Sequence, residues 1–136
     1  MTDCFVDTSA FCAVLDADDG NHQHARTVWE ELLVSDALLV TTNYVLVETF
    51  ALLRNRLGMA AVRRFQQDIR PLLHVEWLEP EAHEAGIEAV LVAKQRRLSL
   101  VDCTSFHAMR RRGLQRAFAF DRHFQQQGFT LLPIIP

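Results

Sequence analysis

Four carboxylates carry the chemical interest of this sequence, because each sits among apolar neighbours. Asp7 ends the run Cys4-Phe5-Val6. Asp121 ends the run Ala117-Phe118-Ala119-Phe120. Glu48 interrupts Tyr44-Val45-Leu46-Val47 and Thr49-Phe50-Ala51-Leu52-Leu53, and Asp102 follows Leu98-Ser99-Leu100-Val101. An ionised carboxylate in such surroundings is costly unless it is paired or bound to a metal. Each acid alone has an ordinary role: Asp102 as a helix N-cap, Asp7 or Asp121 as a turn residue, Glu48 as a partner of Arg54. Together they can face one crevice. Clustered carboxylates repel, and they suit a hard cation with oxygen ligands, Mg²⁺ or Mn²⁺. Such sites bind phosphate esters and activate water, so phosphodiester hydrolysis is the natural chemistry.

The elements that must position these acids follow from the apolar periodicity. Cys4 to Val6 reads as a buried strand, followed by a helix capped by Thr8 or Ser9. Asp18-Asp19-Gly20-Asn21 is a turn. Ala25, Val28, Trp29, Leu32 and Leu33 then form the buried stripe of a second helix. Leu38 to Thr41 is the next strand. Thr42 or Asn43 caps a helix from Tyr44 to Leu57, apolar nearly all round, which stops at Gly58. Val62, Phe65, Ile69 and Leu72 form a stripe that ends near Pro71. Val75 to Leu78 is a third strand. Pro80 opens a long helix reaching Arg97. Leu98 to Val101 reads as an extended piece, with Asp102 capping a helix to Arg112 and Gly113 as its stop. Ala117 to Phe120 is a strand ending on Asp121. A short helical piece precedes the last strand, Phe129 to Leu132. Alternating strands and helices imply a mainly parallel sheet covered on both faces.

Composition narrows the class. The chain has 136 residues, 49% hydrophobic and 23% charged, which suits one domain with a real core. A net charge of −3 argues against a generally basic nucleic-acid coat. Arginine supplies nearly all the positive charge, since Lys94 is the single lysine. Arg96-Arg97, Arg110-Arg111-Arg112, Arg116 and Arg122 lie near Asp102 and Asp121 in sequence; they read either as solvated helix ends or as phosphate contacts. No run is long enough for a transmembrane helix, and no secretory signal is present. Cys4, Cys12 and Cys103 read as buried, reduced thiols of a cytoplasmic protein. The six histidines show no paired metal spacing and are assigned surface or structural roles, with His107 kept as an outer candidate beside Asp102. No glycine-rich phosphate loop and no GxSxG elbow occurs.

Four segments taken in order resemble a known family. They are Phe5-Val6-Asp7-Thr8-Ser9-Ala10, Asn43-Tyr44-Val45-Leu46-Val47-Glu48-Thr49, Leu98 to Phe106, and Ala119-Phe120-Asp121-Arg122-His123-Phe124. The chain is similar to PIN-domain ribonucleases, and most similar to the VapC-type toxins of bacterial toxin–antitoxin pairs. The resemblance spans residues 1–136 as a single domain. It implies a three-layer α/β/α sandwich with a parallel, about five-stranded sheet. It also implies that Asp7, Glu48, Asp102 and Asp121 hold one or two Mg²⁺ or Mn²⁺ ions, with Thr8, Ser9, Thr104 and Ser105 as supporting hydroxyls. Arg110, Arg112 and Arg122 are then candidate contacts for RNA phosphates. RNA cleavage leaving a 5′-phosphate and a 3′-hydroxyl, a homodimer, and an antitoxin partner are further implications. The antitoxin would use a groove between the Val45–Leu53 and Val62–Leu72 stripes, unless these stripes are ordinary core. Competing readings are a PIN-like nuclease of RNA processing, a phosphoacceptor with Asp7 as nucleophile, and a catalytically silent interaction module.

Overall fold

A computed structural model of the chain describes residues 3–93 and 98–134. Lys94, Arg96 and Arg97 lie outside the described residues. Five short strands alternate with helices: β1 (Cys4–Val6), β2 (Leu39–Thr42), β3 (His74–Glu76), β4 (Arg116–Phe118) and β5 (Thr130–Leu132). All pair in parallel, in the order β3-β2-β1-β4-β5. Every residue of β1 and β2 is buried. That is why these strands are continuous apolar or threonine runs with no polar alternation.

The helices are α1 (Thr8–Leu15), α2 (His22–Val34), α3 (Asn43–Leu57), α4 (Met59–Arg64), α5 (Pro80–Val92), α6 (Leu100–Arg112) and α7 (His123–Gln126). After β3 the chain crosses to the other side of β1. Right-handed crossovers therefore place α1 to α4 on one face and α5 to α7 on the other. Packing agrees with this division. Phe11 of α1 meets Phe65 edge-on at 5.0 Å, and Phe124 of α7 meets Phe106 of α6 edge-on at 5.0 Å. The reversal in strand order falls at β1, between β2 and β4. The crevice beyond the carboxyl ends of β1 and β4 is where such sheets bind ligands.

Several expected boundaries move. The piece Leu98 to Val101 is no strand. Ser99 caps α6 from Leu100, because its side chain accepts a 3.0 Å bond from the Asp102 amide. Asp102 returns the favour by accepting from the Ser99 amide at 3.1 Å, so it lies inside the first turn and is not the cap. Likewise Asp7, not Thr8 or Ser9, caps α1, its carboxylate accepting from the Ser9 amide. β4 ends at Phe118, so Asp121 sits in the following loop. Helix α5 ends at Val92. The Val62 stripe continues through a wider turn at Phe65–Ile69 and a tight turn at Arg70–Leu72, which leaves Leu72 exposed and Leu73 buried. Leu33 is also exposed.

Helix α3 is not buried all round. Val45, Thr49 and Leu53 face the core, while Val47 (71% exposed) and Phe50 face outward. Gly58 (φ 92°) and Gly113 (φ 74°) stop α3 and α6 in a backbone region that side chains resist.

Candidate active site

The four acids converge on one cleft of about 290 Å³. Asp7, Thr8 and Ser9 form part of its lining, with Glu48 and Arg56 from α3, Ser99 and Asp102 from the start of α6, and Phe120 and Asp121 beyond β4. Each arrives by a local rule. Asp7 is placed by the turn from β1 into α1, and Asp102 by the capping box. Glu48 lies on α3, whose N-cap Thr42 accepts from the Val45 amide at 3.1 Å. Asp121 accepts from the His123 amide at 2.9 Å, an Asx turn that starts α7.

Ser9 ties two of these segments together. Its hydroxyl donates to Asp7 Oδ2 at 2.7 Å and accepts from the Phe120 amide at 3.0 Å. Thr8 donates to the Val45 carbonyl at 3.4 Å and accepts from Thr49 at 3.0 Å, and it also hydrogen-bonds the Glu48 carboxyl. Both hydroxyls expected beside Asp7 thus touch the acids. Those after Asp102 do not. Thr104 donates to the Leu100 and Val101 carbonyls, Ser105 donates to the Val101 carbonyl, and both are fully buried. They serve the packing of α6.

Burial dominates the electrostatics. It raises the Asp7 carboxyl from 3.8 to about 6, against two hydrogen bonds from Ser9, with help from the charges of Asp102 and Glu48. Glu48 and Asp102 are also raised, first by burial; Thr8 opposes this at Glu48, the Ser99 amide opposes it at Asp102, and neighbouring acids add to it. The site holds more negative charge than its walls neutralise. Such a donor set suits a hard cation.

The tightest donor group is Asp102, Asp121 and His123, with one ligand atom from each within 4.8 Å of the others. His123 Nδ1 lies 3.0 Å from Asp121 Oδ1 and 3.4 Å from Asp102 Oδ2. The atom is buried, and despite these distances it has no hydrogen-bond partner among the described residues. His123 was assigned a structural or surface role from sequence. The signal available was its place two residues beyond Asp121. Arg56 was missed as well; it sits two positions beyond the Arg54 considered as a partner for Glu48.

The other sequence candidates lie elsewhere. Arg110 donates to Gln127 at 2.8 Å and stacks over Phe129. Arg112 is paired with Glu76. Neither lines the acidic cleft: they are eight and ten residues along α6 from Asp102, on the order of 12–15 Å away. Arg122 is exposed and does not line the cleft; it lines an adjoining depression that shares Asn21 and Phe120 with the cleft. His107 lines a separate cavity with Trp77 and Arg111. The three cysteines are buried with raised thiol pKa values, Cys4 and Cys12 near 11 through burial, and so are inert as nucleophiles at neutral pH.

A parallel five-stranded sheet with this strand order and an acidic crevice at its switch point defines the class. The chain belongs to the PIN-domain family, whose model matches residues 4–129. It is 36% identical over 127 residues to the 23S rRNA-specific endonuclease VapC20 of Mycobacterium tuberculosis, an alignment covering 93% of this chain and 95% of that relative. The crystal structure of VapC20, described as a sarcin–ricin loop cleaving toxin, superposes with a TM-score of 0.83 at 35% identity, covering 93% of this chain and 96% of VapC20. The DNA-bound VapBC structure from Salmonella typhimurium shares the fold, with a TM-score of 0.69 at 15% identity and coverage of 96% and 97%.

Proposed function

We propose that this chain is a divalent-metal-dependent RNA endonuclease, the toxin half of a toxin–antitoxin pair, and that residues 1–136 act as a single domain in the cytoplasm. The observation that carries this reading is the convergence of Asp7, Glu48, Asp102 and Asp121 on one cleft at the sheet's switch point. In this reading those four residues hold one or two Mg²⁺ or Mn²⁺ ions. The donor chemistry fits: carboxylate oxygens whose protonation is favoured by burial and mutual repulsion gain most from a hard cation. Such an ion, when bound, polarises the phosphodiester and makes water a better nucleophile.

The chain's own residues do the positioning. Ser9 holds Asp7 by a 2.7 Å bond and the Asp121 loop through the Phe120 amide. Ser99 fixes the Asp102 carboxylate. Arg56 on the cleft wall offers a cation to the RNA phosphate. Water adds to phosphorus, the bond to the 3′ oxygen breaks, and the departing oxygen takes a proton. The products carry a 5′-phosphate and a 3′-hydroxyl.

VapC20 is named for 23S rRNA, so 23S rRNA and its sarcin–ricin loop are the first substrate to test. Sequencing of RNA 5′ ends after controlled expression, with Asp7→Asn as control, decides it. New 5′-phosphate ends at one 23S position, absent with the variant, are expected. Ends that persist in the variant would refute the assignment. The partners in this reading are a second copy of the chain and an antitoxin whose segment reaches toward the acids.

A further inference from the structure

A nitrogen donor stands beside the acidic cleft: His123 does not line it, but its ring lies against Asp102 and Asp121, which do. The backbone amide of His123 is tied to Asp121 Oδ1 at 2.9 Å, and the next residue, Phe124, is fully buried against Phe106 and Phe5. The ring therefore hangs from a fixed point. Its Nδ1 stands 3.0 Å from Asp121 Oδ1 and 3.4 Å from Asp102 Oδ2, buried and without a hydrogen bond. A buried polar atom that makes no hydrogen bond among the described residues is unusual, and here two carboxylate oxygens stand close without forming one. The ligand atoms of the three residues fit within 4.8 Å.

We propose that His123 Nδ1 is a direct ligand of the divalent ion in this cleft. The donor set is then mixed, nitrogen with carboxylate oxygen, and it prefers Mn²⁺ to Mg²⁺. Imidazole suits transition ions, whereas Mg²⁺ favours oxygen donors and retains its waters. This inference rests on the reading of the cleft as a metal site.

Pulsed EPR of Mn²⁺ added to the purified chain tests it without reference to cleavage. The expected result is a ¹⁴N coupling on the bound Mn²⁺, which changes to a ¹⁵N coupling when the protein is grown with ¹⁵N-histidine. No substitution is needed for that measurement. His123→Gln should abolish the coupling, keep the far-UV circular dichroism, and lower Mn²⁺ affinity in calorimetry by about tenfold or more while changing Mg²⁺ affinity less. Bound Mn²⁺ with no nitrogen coupling, or a coupling that survives in His123→Gln, would overturn the role of His123 and leave the metal site standing. Failure of the wild-type chain to bind Mn²⁺ at all would overturn both.

Discussion

At the residue scale the cleft is governed by buried charge. The folded protein holds a proton on Asp7 more tightly than the unfolded chain does, since its pKa moves from 3.8 to about 6. The stabilisation from this proton is complete below pH 3.8 and is lost as pH rises through about 6. A shift of this size corresponds to on the order of 3 kcal/mol. Chelator-treated protein should therefore lose stability between about pH 4 and pH 6.5, with little further change above that range, and Asp7→Asn should flatten that loss. Thermal melts across this range check it; identical pH profiles for the two proteins would count against a strained Asp7. Ser9→Ala removes the bond to Asp7 and orphans the Phe120 amide. A 10–100-fold loss of cleavage, with binding of RNA retained, is the expected outcome in single-turnover assays. Much of this was legible in sequence. An acid following three or four apolar residues signals a carboxylate held at the edge of a core. His123 was hidden because a lone histidine carries no spacing signal; its role depends on a loop that folds it back on Asp102, 21 positions away in the chain.

At the scale of elements, α6 is the part whose local chemistry matters most. Its capping box uses the Asp102 carboxylate, so the bond that starts the helix also aims the acid. Ser99→Ala removes the hydroxyl that accepts from the Asp102 amide; it should cost about 1 kcal/mol of stability, read from urea unfolding, and should weaken metal binding in calorimetry as the helix start that carries Asp102 loosens. A loss of stability without any change in metal binding would separate the two roles. Gly86 lets α5 lie close against α6: an added Cβ would stand 2.5 Å from Thr104 Cγ2. Gly86→Ala should destabilise by about 1–3 kcal/mol, and an unchanged unfolding midpoint would contradict the close approach. The periodicity located each helix and strand, because core-facing residues recur at fixed intervals. Boundaries were less legible. Leu98 to Val101 is as apolar as a strand, yet Ser99 and Asp102 together satisfy the amides of a helix start, and that reciprocal bonding decided the outcome. The outward face of α3 was misread for a related reason: hydrophobicity does not say which apolar residues are reserved for solvent or a partner.

At the scale of the whole molecule, the strand order brings together acids from four distant segments. The parallel sheet was predictable from the alternation of elements; the strand order was not, since any one strand pattern fits several orders. No helix among the described residues is long and apolar enough to cross a membrane. The exposed apolar residues Val47, Phe50 and Leu57 of α3, with Met59 beside them, suit a protein partner. We expect the purified chain to run as a dimer in size-exclusion chromatography, and Val47→Asp with Phe50→Asp to give a folded monomer. A clean wild-type monomer at micromolar concentration would contradict the dimer. The central claim is that these carboxylates make a metal-dependent RNA endonuclease. Its most direct test is cleavage of purified 23S rRNA by the purified chain, with Mn²⁺ or Mg²⁺, with chelator, and with Asp102→Asn. Discrete fragments bearing 5′-phosphates are expected, vanishing with chelator and falling by about 100-fold or more in the variant. Cleavage unchanged by chelator or by Asp102→Asn would contradict it.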